Sequence, residues 1–165
     1  MSSIRAEMSG DTDELLQRLN RLSHLRPWVL NSIAEGLRTS TVERFTEEKT
    51  PEGTSWKPSI RAQEEGGKTL TKTTQLKTSI RSEVSDSGLA VGTNDIRAAT
   101  HQFGDERTIR AKNKKYLTFK IGGQWKRVAS VKVSIPPRPF LGISEEDEQD
   151  IKDTLEAKFL RSRTW

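Results

Sequence analysis

The fold class is decided by residues 117–147, which read LTFKIGGQWKRVASVKVSIPPRPFLGISEED. Apolar and polar residues alternate at Leu117, Phe119 and Ile121, a pattern typical of a strand with one covered face. Gly122-Gly123 can adopt the positive φ angles of a tight hairpin turn. The return strand then carries a further set of apolar residues: Trp125, Val128, Val131, Val133 and Ile135. The stretch therefore predicts a long antiparallel hairpin.

The same stretch predicts where the hairpin ends and a helix begins. The prolines of the run 136–139 lack the amide hydrogens that a central strand must donate, so pairing should stop there. Ser144 and Asp147 have the spacing of a capping box, in which two side chains bond each other's backbone amides at a helix start. Apolar residues at helical spacing follow: Ile151, Leu155 and Phe159. This predicts a C-terminal helix over residues 145–161.

Helical spacing also dominates the beginning of the chain. Asp11 and Glu14 form a capping-box pattern, and Leu15, Leu16, Leu19 and Leu22 follow at helical spacing. The Arg26-Pro27 step is expected to stop or bend this helix. A second helix is predicted over residues 27–45, because proline suits a first helical turn and one apolar stripe continues beyond it. The two predicted helices form a helical hairpin, preceded by a flexible tail over residues 1–10.

The middle of the chain combines a loop with a shorter hairpin. Residues 46–68 are polar and interrupted by proline and glycine, which indicates turns. Trp56 is the large apolar group expected to pin this loop to the domain. Alternation over residues 80–84 and 89–91 predicts two paired strands.

These patterns predict an α+β fold with an N-terminal helical hairpin, a mainly antiparallel sheet and a C-terminal helix. The sheet includes an extended β-hairpin, called the arm, over residues 105–134. The chain has 165 residues, a length that suits a single domain, here predicted over residues 11–165.

The composition excludes several kinds of site. The chain has no cysteine, so disulfides, thiol nucleophiles and cysteine-bound metals are excluded. No apolar run approaches the ~20 residues that span a bilayer, and the first residues lack the apolar stretch of a secretory signal. We expect a protein made in the cytoplasm that has no membrane partner.

Residues capable of catalysis are sparse. The two histidines, His24 and His101, lie on different predicted elements, and neither belongs to a metal-binding motif. The acidic run over residues 145–150 is interpreted as carboxylates that complement the positive end of a helix dipole. The sequence therefore predicts no enzymatic activity, no metal and no cofactor.

A basic stretch is the main candidate for contact with an anionic partner. Its side chains could neutralise nucleic-acid phosphates without sequence selectivity. The favoured alternative is a solvated arm whose charges discourage edge-to-edge aggregation, since stacking aromatics are sparse and no nucleic-acid-binding motif is present. The stretch comprises Arg107, Arg110, Lys112, Lys114 and Lys115.

Three segments, in this order, resemble the phage virion morphogenesis and tail completion family of the Mu-like kind. The first is FTEEKTPEGTSW, residues 45–56, with its Pro-x-Gly and tryptophan. The second is AVGTNDIRAATHQFG, residues 90–104. The third and most specific is IPPRPFLGIS, residues 135–144, which is similar to the family's signature before its final helix.

The resemblance implies a structural virion protein of a tailed bacteriophage that acts in tail completion and in head–tail joining at the neck. It implies a homo-oligomeric ring, expected to be a hexamer, with neck or head-completion proteins and tail terminator or tail tube proteins as partners. The virion neck or tail is then the expected location, after assembly in the host cytoplasm. The alternative is a basic nucleic-acid-binding accessory protein, which salt-sensitive duplex binding would reveal.

The matching motifs also have a physical interpretation. Residues 136–142 are called the strut, because their prolines stiffen the backbone. Arg138 can present its guanidinium from this segment to a carboxylate or to carbonyls. A role in holding the fold is favoured over direct partner contact. The residues singled out are Trp56, His101, Gln102, Phe103, Gly104, Pro137, Arg138, Pro139, Phe140, Leu141 and Gly142.

Overall fold

A computed structural model describes the backbone of residues 4–5, 27–85 and 88–161, and the side chains of residues 27–85 and 88–157. The predicted first helix, with its capping box at Asp11 and Glu14, lies outside the described residues, and so does His24. The α+β class is confirmed, because the described chain combines helices with antiparallel strands and has its two longest helices before and after most of those strands.

The second predicted helix is confirmed. Helix α1 spans Pro27–Glu47, with the proline in its first turn. Of the predicted apolar stripe, Ile33, Ala34, Thr41 and Phe45 are buried, whereas Leu30 and Leu37 are half-buried. Val29, which the stripe did not include, is also buried.

The C-terminal helix is confirmed at its predicted bounds. The last helix, called α5 here because three short helices precede it, spans Glu145–Arg161. The Asp147 amide donates to Ser144 Oγ at 3.1 Å, and the Ser144 amide donates to Asp147 Oδ2 at 2.8 Å. The predicted capping box is thus formed, and it fixes where α5 begins.

The three short helices were not predicted. They are α2 (Ile60–Glu65), α3 (Gln75–Thr78) and α4 (Ala98–Phe103). None is long enough to repeat a helical apolar pattern, which is the signal that sequence reasoning depends on. Helix α2 lies inside the segment predicted to be a loop, where Ser59 Oγ accepts from the Ala62 amide at 3.1 Å.

Three strands form an antiparallel sheet in the order β1-β3-β2. They are β1 (Ile4–Arg5), β2 (Arg81–Ser85) and β3 (Gly88–Thr93). The predicted pairing of β2 with β3 is confirmed. Ser82 lies opposite Val91, and Val84 lies opposite Leu89.

The arm is a hairpin built from two consecutive ladders. In the inner ladder, β4 (Asp105–Arg110) pairs with β7 (Ser130–Ile135). In the outer ladder, β5 (Leu117–Ile121) pairs with β6 (Gln124–Val128). Gly122 and Gly123 form the predicted turn, with φ angles of 58° and 76°. The hairpin predicted from the alternating pattern is confirmed.

Two apolar clusters form the core. Ile151 and Leu155 of α5 pack with Val29 and Ile33 of α1 in the smaller one. The larger cluster joins α1 to the strut and to the short helices α3 and α4, and no arm residue belongs to either cluster. It comprises Phe45, Trp56, Leu76, Ile80, Ala98, Phe140 and Leu141.

Candidate functional site

The strut crosses the core, and its polar backbone atoms bond to side chains from separate elements. Trp56 Nε1 donates to the Pro139 carbonyl at 2.9 Å. Gln102 Oε1 accepts from the amides of Phe140 and Leu141 at 3.0 and 3.1 Å, and its Nε2 donates to the Leu141 carbonyl at 3.0 Å. A segment without strand partners is thereby satisfied in the interior, as buried backbone groups require.

Aromatic packing holds the same region. Phe140 is fully buried, and its ring lies 5.1 Å from that of Phe45. Trp56 is 5% exposed and meets Phe45 edge-on at 5.5 Å. The loop that carries Trp56 is therefore held by both a hydrogen bond and a ring contact.

Arg138 is buried without a carboxylate partner among the described residues. Its Nε donates to the Lys57 carbonyl at 2.7 Å, and its backbone amide donates to the His101 carbonyl at 2.7 Å. Of the two acceptors expected from the sequence, carbonyls are the ones it bonds. Burial lowers the pKa of the Arg138 guanidinium, because a charged group loses hydration in the interior.

A second buried arginine was missed from the sequence. Arg44 of α1 donates to the carbonyls of Phe140 and Gly142 at 3.0 and 2.9 Å, and it forms an ion pair with the buried Asp147. Asp147 thus has a further partner that the helix-dipole interpretation did not include. The available signal was the position of Arg44 beside Phe45 on the buried stripe of α1.

Two glycines of the motifs are required by close contacts. At Gly104, with φ 76°, an added Cβ would lie 2.9 Å from the Ile135 carbonyl oxygen. At Gly142, an added Cβ would lie 2.7 Å from Pro51 Cγ. Both contacts are shorter than side-chain packing allows, so these glycines bring the base of the arm and the end of the strut into place.

His101 and Phe103 do not share the environment of Gln102, although all three lie on α4. Phe103 is 69% exposed, so it is the surface member of this motif. The His101 Nδ1 is buried and has no hydrogen-bond partner among the described residues. Burial, together with the charges of Arg138 and Arg97, lowers the pKa of His101.

The basic stretch lies on the arm and in the segment that joins its two ladders, and its five side chains are not gathered into a pocket. Arg107 and Arg110 are on β4, and Lys112, Lys114 and Lys115 follow it; all five are exposed. Lys115 lies 5.7 Å from the centre of the Tyr116 ring.

The tip of the arm carries an exposed aromatic residue. Trp125 of β6 is 73% exposed, and Arg127 lies over the Tyr116 ring at 4.6 Å. The Gly122 amide donates to Glu64 Oε1 of α2 at 2.9 Å, a contact that sequence reasoning did not anticipate.

The described part of the chain lacks two classes of site. No group of three or more histidine, aspartate or glutamate side chains there could hold a metal ion. No described helix is long and apolar enough to cross a membrane.

Comparison with known proteins agrees with the motifs that the strut and α4 carry. The model of the phage virion morphogenesis family matches residues 10–159. The relative "Mu-like prophage FluMu G protein 2" of Haemophilus influenzae is 29% identical over 159 residues, which are 96% of each chain. No solved structure matches the chain.

Proposed function

The chain belongs to the phage virion morphogenesis family, and we propose that it performs its virion-related role as a structural subunit that completes the tail and joins it to the head. In this proposal the subunits form a closed ring at the neck, expected to be a hexamer. The partners are neck or head-completion proteins on one side and tail terminator or tail tube proteins on the other.

The observation that carries the proposal is the length of the family match. Residues 10–159 include α1, the strut, the arm and most of α5. The likeness therefore extends over the whole domain and is not confined to one grafted site. A relative described as a Mu-like prophage protein, similar over 96% of both chains, supports the same role.

The use of the motif residues supports a structural role without catalysis. The polar side-chain atoms of Gln102, Trp56 and Arg138 form hydrogen bonds with backbone groups of the strut and of segments next to it. A catalytic site needs convergent groups that remain available to a substrate. These motif residues instead hold the fold in the shape that an assembly partner would meet.

The arm supports the proposed ring. Its apolar residues at positions 117, 119 and 121 are half-buried and belong to neither core cluster. An isolated two-stranded ribbon is marginally stable in water, so a neighbouring subunit that covers the arm would stabilise it. Repeated head-to-tail contacts of one kind close into a ring when the rotation between neighbours permits.

A basic nucleic-acid-binding accessory protein is the second candidate. The observation in its favour is the exposed Trp125, which lies opposite Lys120 on the arm. Aromatic rings among cations can stack on bases while the cations meet phosphates. Duplex binding that weakens steeply with salt, in a chain that is not needed for head–tail joining, would favour this candidate.

The proposed function is tested by interrupting the reading frame in the genome that produces the particles. We expect filled heads and separate tails in electron micrographs, and joined particles when the chain is supplied in trans. A chain carrying Lys72→Ala, a change at an exposed lysine outside the arm, serves as the control that should restore joining. Complete, infectious particles formed without the chain would contradict the proposal.

A further inference from the structure

The positive charge of the protein is concentrated in the arm. Residues 105–134 carry nine lysines and arginines against two carboxylates, a net charge of +7. The remainder carries nineteen against twenty-one, a net charge of −2. The arm is thus strongly cationic, whereas the rest of the chain is slightly acidic.

Most cations of the arm lack a carboxylate partner among the described residues. The ion pairs that do form there are internal to the arm, Arg107 with Asp105 at 3.3 Å and Lys132 with Glu106 at 3.2 Å. Lys120 and Lys126 near the tip have none in the part of the chain that the structure describes. Unpaired charge of this density is suited to an acidic surface on another molecule.

The register of the outer ladder defines one face near the tip. Lys120 lies opposite Trp125, and Thr118 lies opposite Arg127. These four residues, called the docking face, lie on the side of the ribbon opposite to Leu117, Phe119 and Ile121. An exposed tryptophan between two cations is typical of the residues that dominate protein interfaces.

An acidic stripe lies on α5. Glu146, Asp150 and Asp153 are spaced by four and three residues, so they share one side of the helix, and all three are exposed. None has a cationic partner among the described residues. The helix dipole favours carboxylates in the first turn but not Asp150 and Asp153 beyond it, and like charges at this spacing destabilise a helix.

The two surfaces are complementary in charge and belong to the same chain. We propose that the docking face of one copy binds the acidic stripe of a second copy, with Trp125 buried between them. Because the two surfaces differ, a bound pair still offers one free docking face on one copy and one free stripe on the other, which is the head-to-tail arrangement that a ring requires. The contact between two copies does not depend on the proposed function. Only the place of the ring in the virion rests on that function.

Disulfide trapping tests the contact directly, since the chain has no cysteine of its own. One variant carries Lys120→Cys and a second carries Asp153→Cys, and the two are mixed after nuclease treatment. We expect an interchain disulfide at low ionic strength and its loss at high ionic strength, because exposed charges are screened by salt. The Cα atoms must approach within about 7 Å. Asp153→Cys mixed with Glu83→Cys, exposed on β2, is the control that should not cross-link.

Charge reversal tests the same contact by sedimentation. Lys120→Glu with Arg127→Glu should abolish the oligomer, and so should Glu146→Lys with Asp153→Lys. A chain that carries all four changes should regain it, because complementarity is restored. The control, Lys49→Glu with Lys72→Glu, lowers the net charge by as much as the reversal of the docking face, at exposed sites outside the arm, and should leave the oligomer intact.

The outcomes separate the inference from the function that it refines. A wild-type chain that stays monomeric at low salt, or a four-change chain that stays monomeric, overturns the proposed contact while leaving head–tail joining to be judged in particles. If reversal of the docking face instead abolishes duplex DNA binding by a monomeric chain, the face binds nucleic acid and the inference is wrong. Complete particles formed without the chain would contradict the proposed function while leaving the cross-link unchanged.

Discussion

The strut and the arm are neighbours in sequence, yet they are held in opposite ways. In the part of the chain that the structure describes, the strut has no strand partner, and its backbone bonds to Trp56, Gln102 and Arg44, each from a different part of the fold. Among the described residues, the arm bonds mostly to itself, and the Gly122 amide at its tip donates to Glu64 of α2. The difference separates a segment that maintains the fold from one that is available for binding.

This separation has an energetic basis. Buried polar networks are favourable when every member is satisfied and costly when one partner is lost. A change in the strut should therefore affect the free energy of unfolding of the whole domain. A change in the arm removes contacts within one ribbon, and its main consequence is expected in assembly.

The largest effect is expected from truncating the ring at the centre of the strut. Phe140→Ala should lower the free energy of unfolding by about 3–5 kcal/mol, because it leaves a cavity beside Phe45. The matched change in the arm, Phe119→Ala, removes a half-buried ring and should cost about 1 kcal/mol. Denaturant titration followed by circular dichroism measures both, and equal losses would remove the distinction between the two regions.

The next effect concerns the buried ion pair behind the strut. Asp147→Ala leaves Arg44 without its carboxylate and removes half of the capping box, so the free energy of unfolding should fall by about 3 kcal/mol. Asp150→Ala, an exposed change on the same helix, should cost a few tenths of a kcal/mol. If the two variants unfold at the same denaturant concentration, the pair does not stabilise the strut.

What the sequence could predict follows the same division. Strand alternation in the arm and the spacing of Ile151 and Leu155 are local patterns, and both led to correct elements. The partners of the strut come from residues far away in sequence, such as Arg44, which lies 96 residues from Phe140. No local pattern encodes a contact of that separation, so the role of Arg44 and the second role of Asp147 appeared only in the structure.

A smaller effect distinguishes two glycines that share a φ of 76°. Alanine is strained at that angle, so Gly104→Ala and Gly123→Ala should both destabilise by about 1 kcal/mol. Gly104→Ala should cost at least about 1 kcal/mol more, because its Cβ meets the Ile135 carbonyl while Gly123 has open space. Thermal unfolding measures the difference, and its absence would show that the base of the arm can shift without cost.

The smallest expected effect is a pH dependence at His101, which lies between the two regions on α4. Its pKa is lowered from 6.5 by burial and by Arg138 and Arg97, while Asp95 acts in the opposite direction. As the pH falls below 6.5, the unfolded chain binds a proton on this imidazole before the folded chain does, so stability should decrease as the pH falls. Above that pH both states hold a neutral imidazole, and the effect disappears.

The variant His101→Gln removes the titrating group. Between neutral pH and about pH 5, the free energy of unfolding of this variant should therefore fall less than that of the wild type. Above about pH 5 the carboxylates stay mostly ionised and contribute little to the difference. Parallel pH profiles for the two proteins would show that His101 is not held in its neutral form by the buried strut.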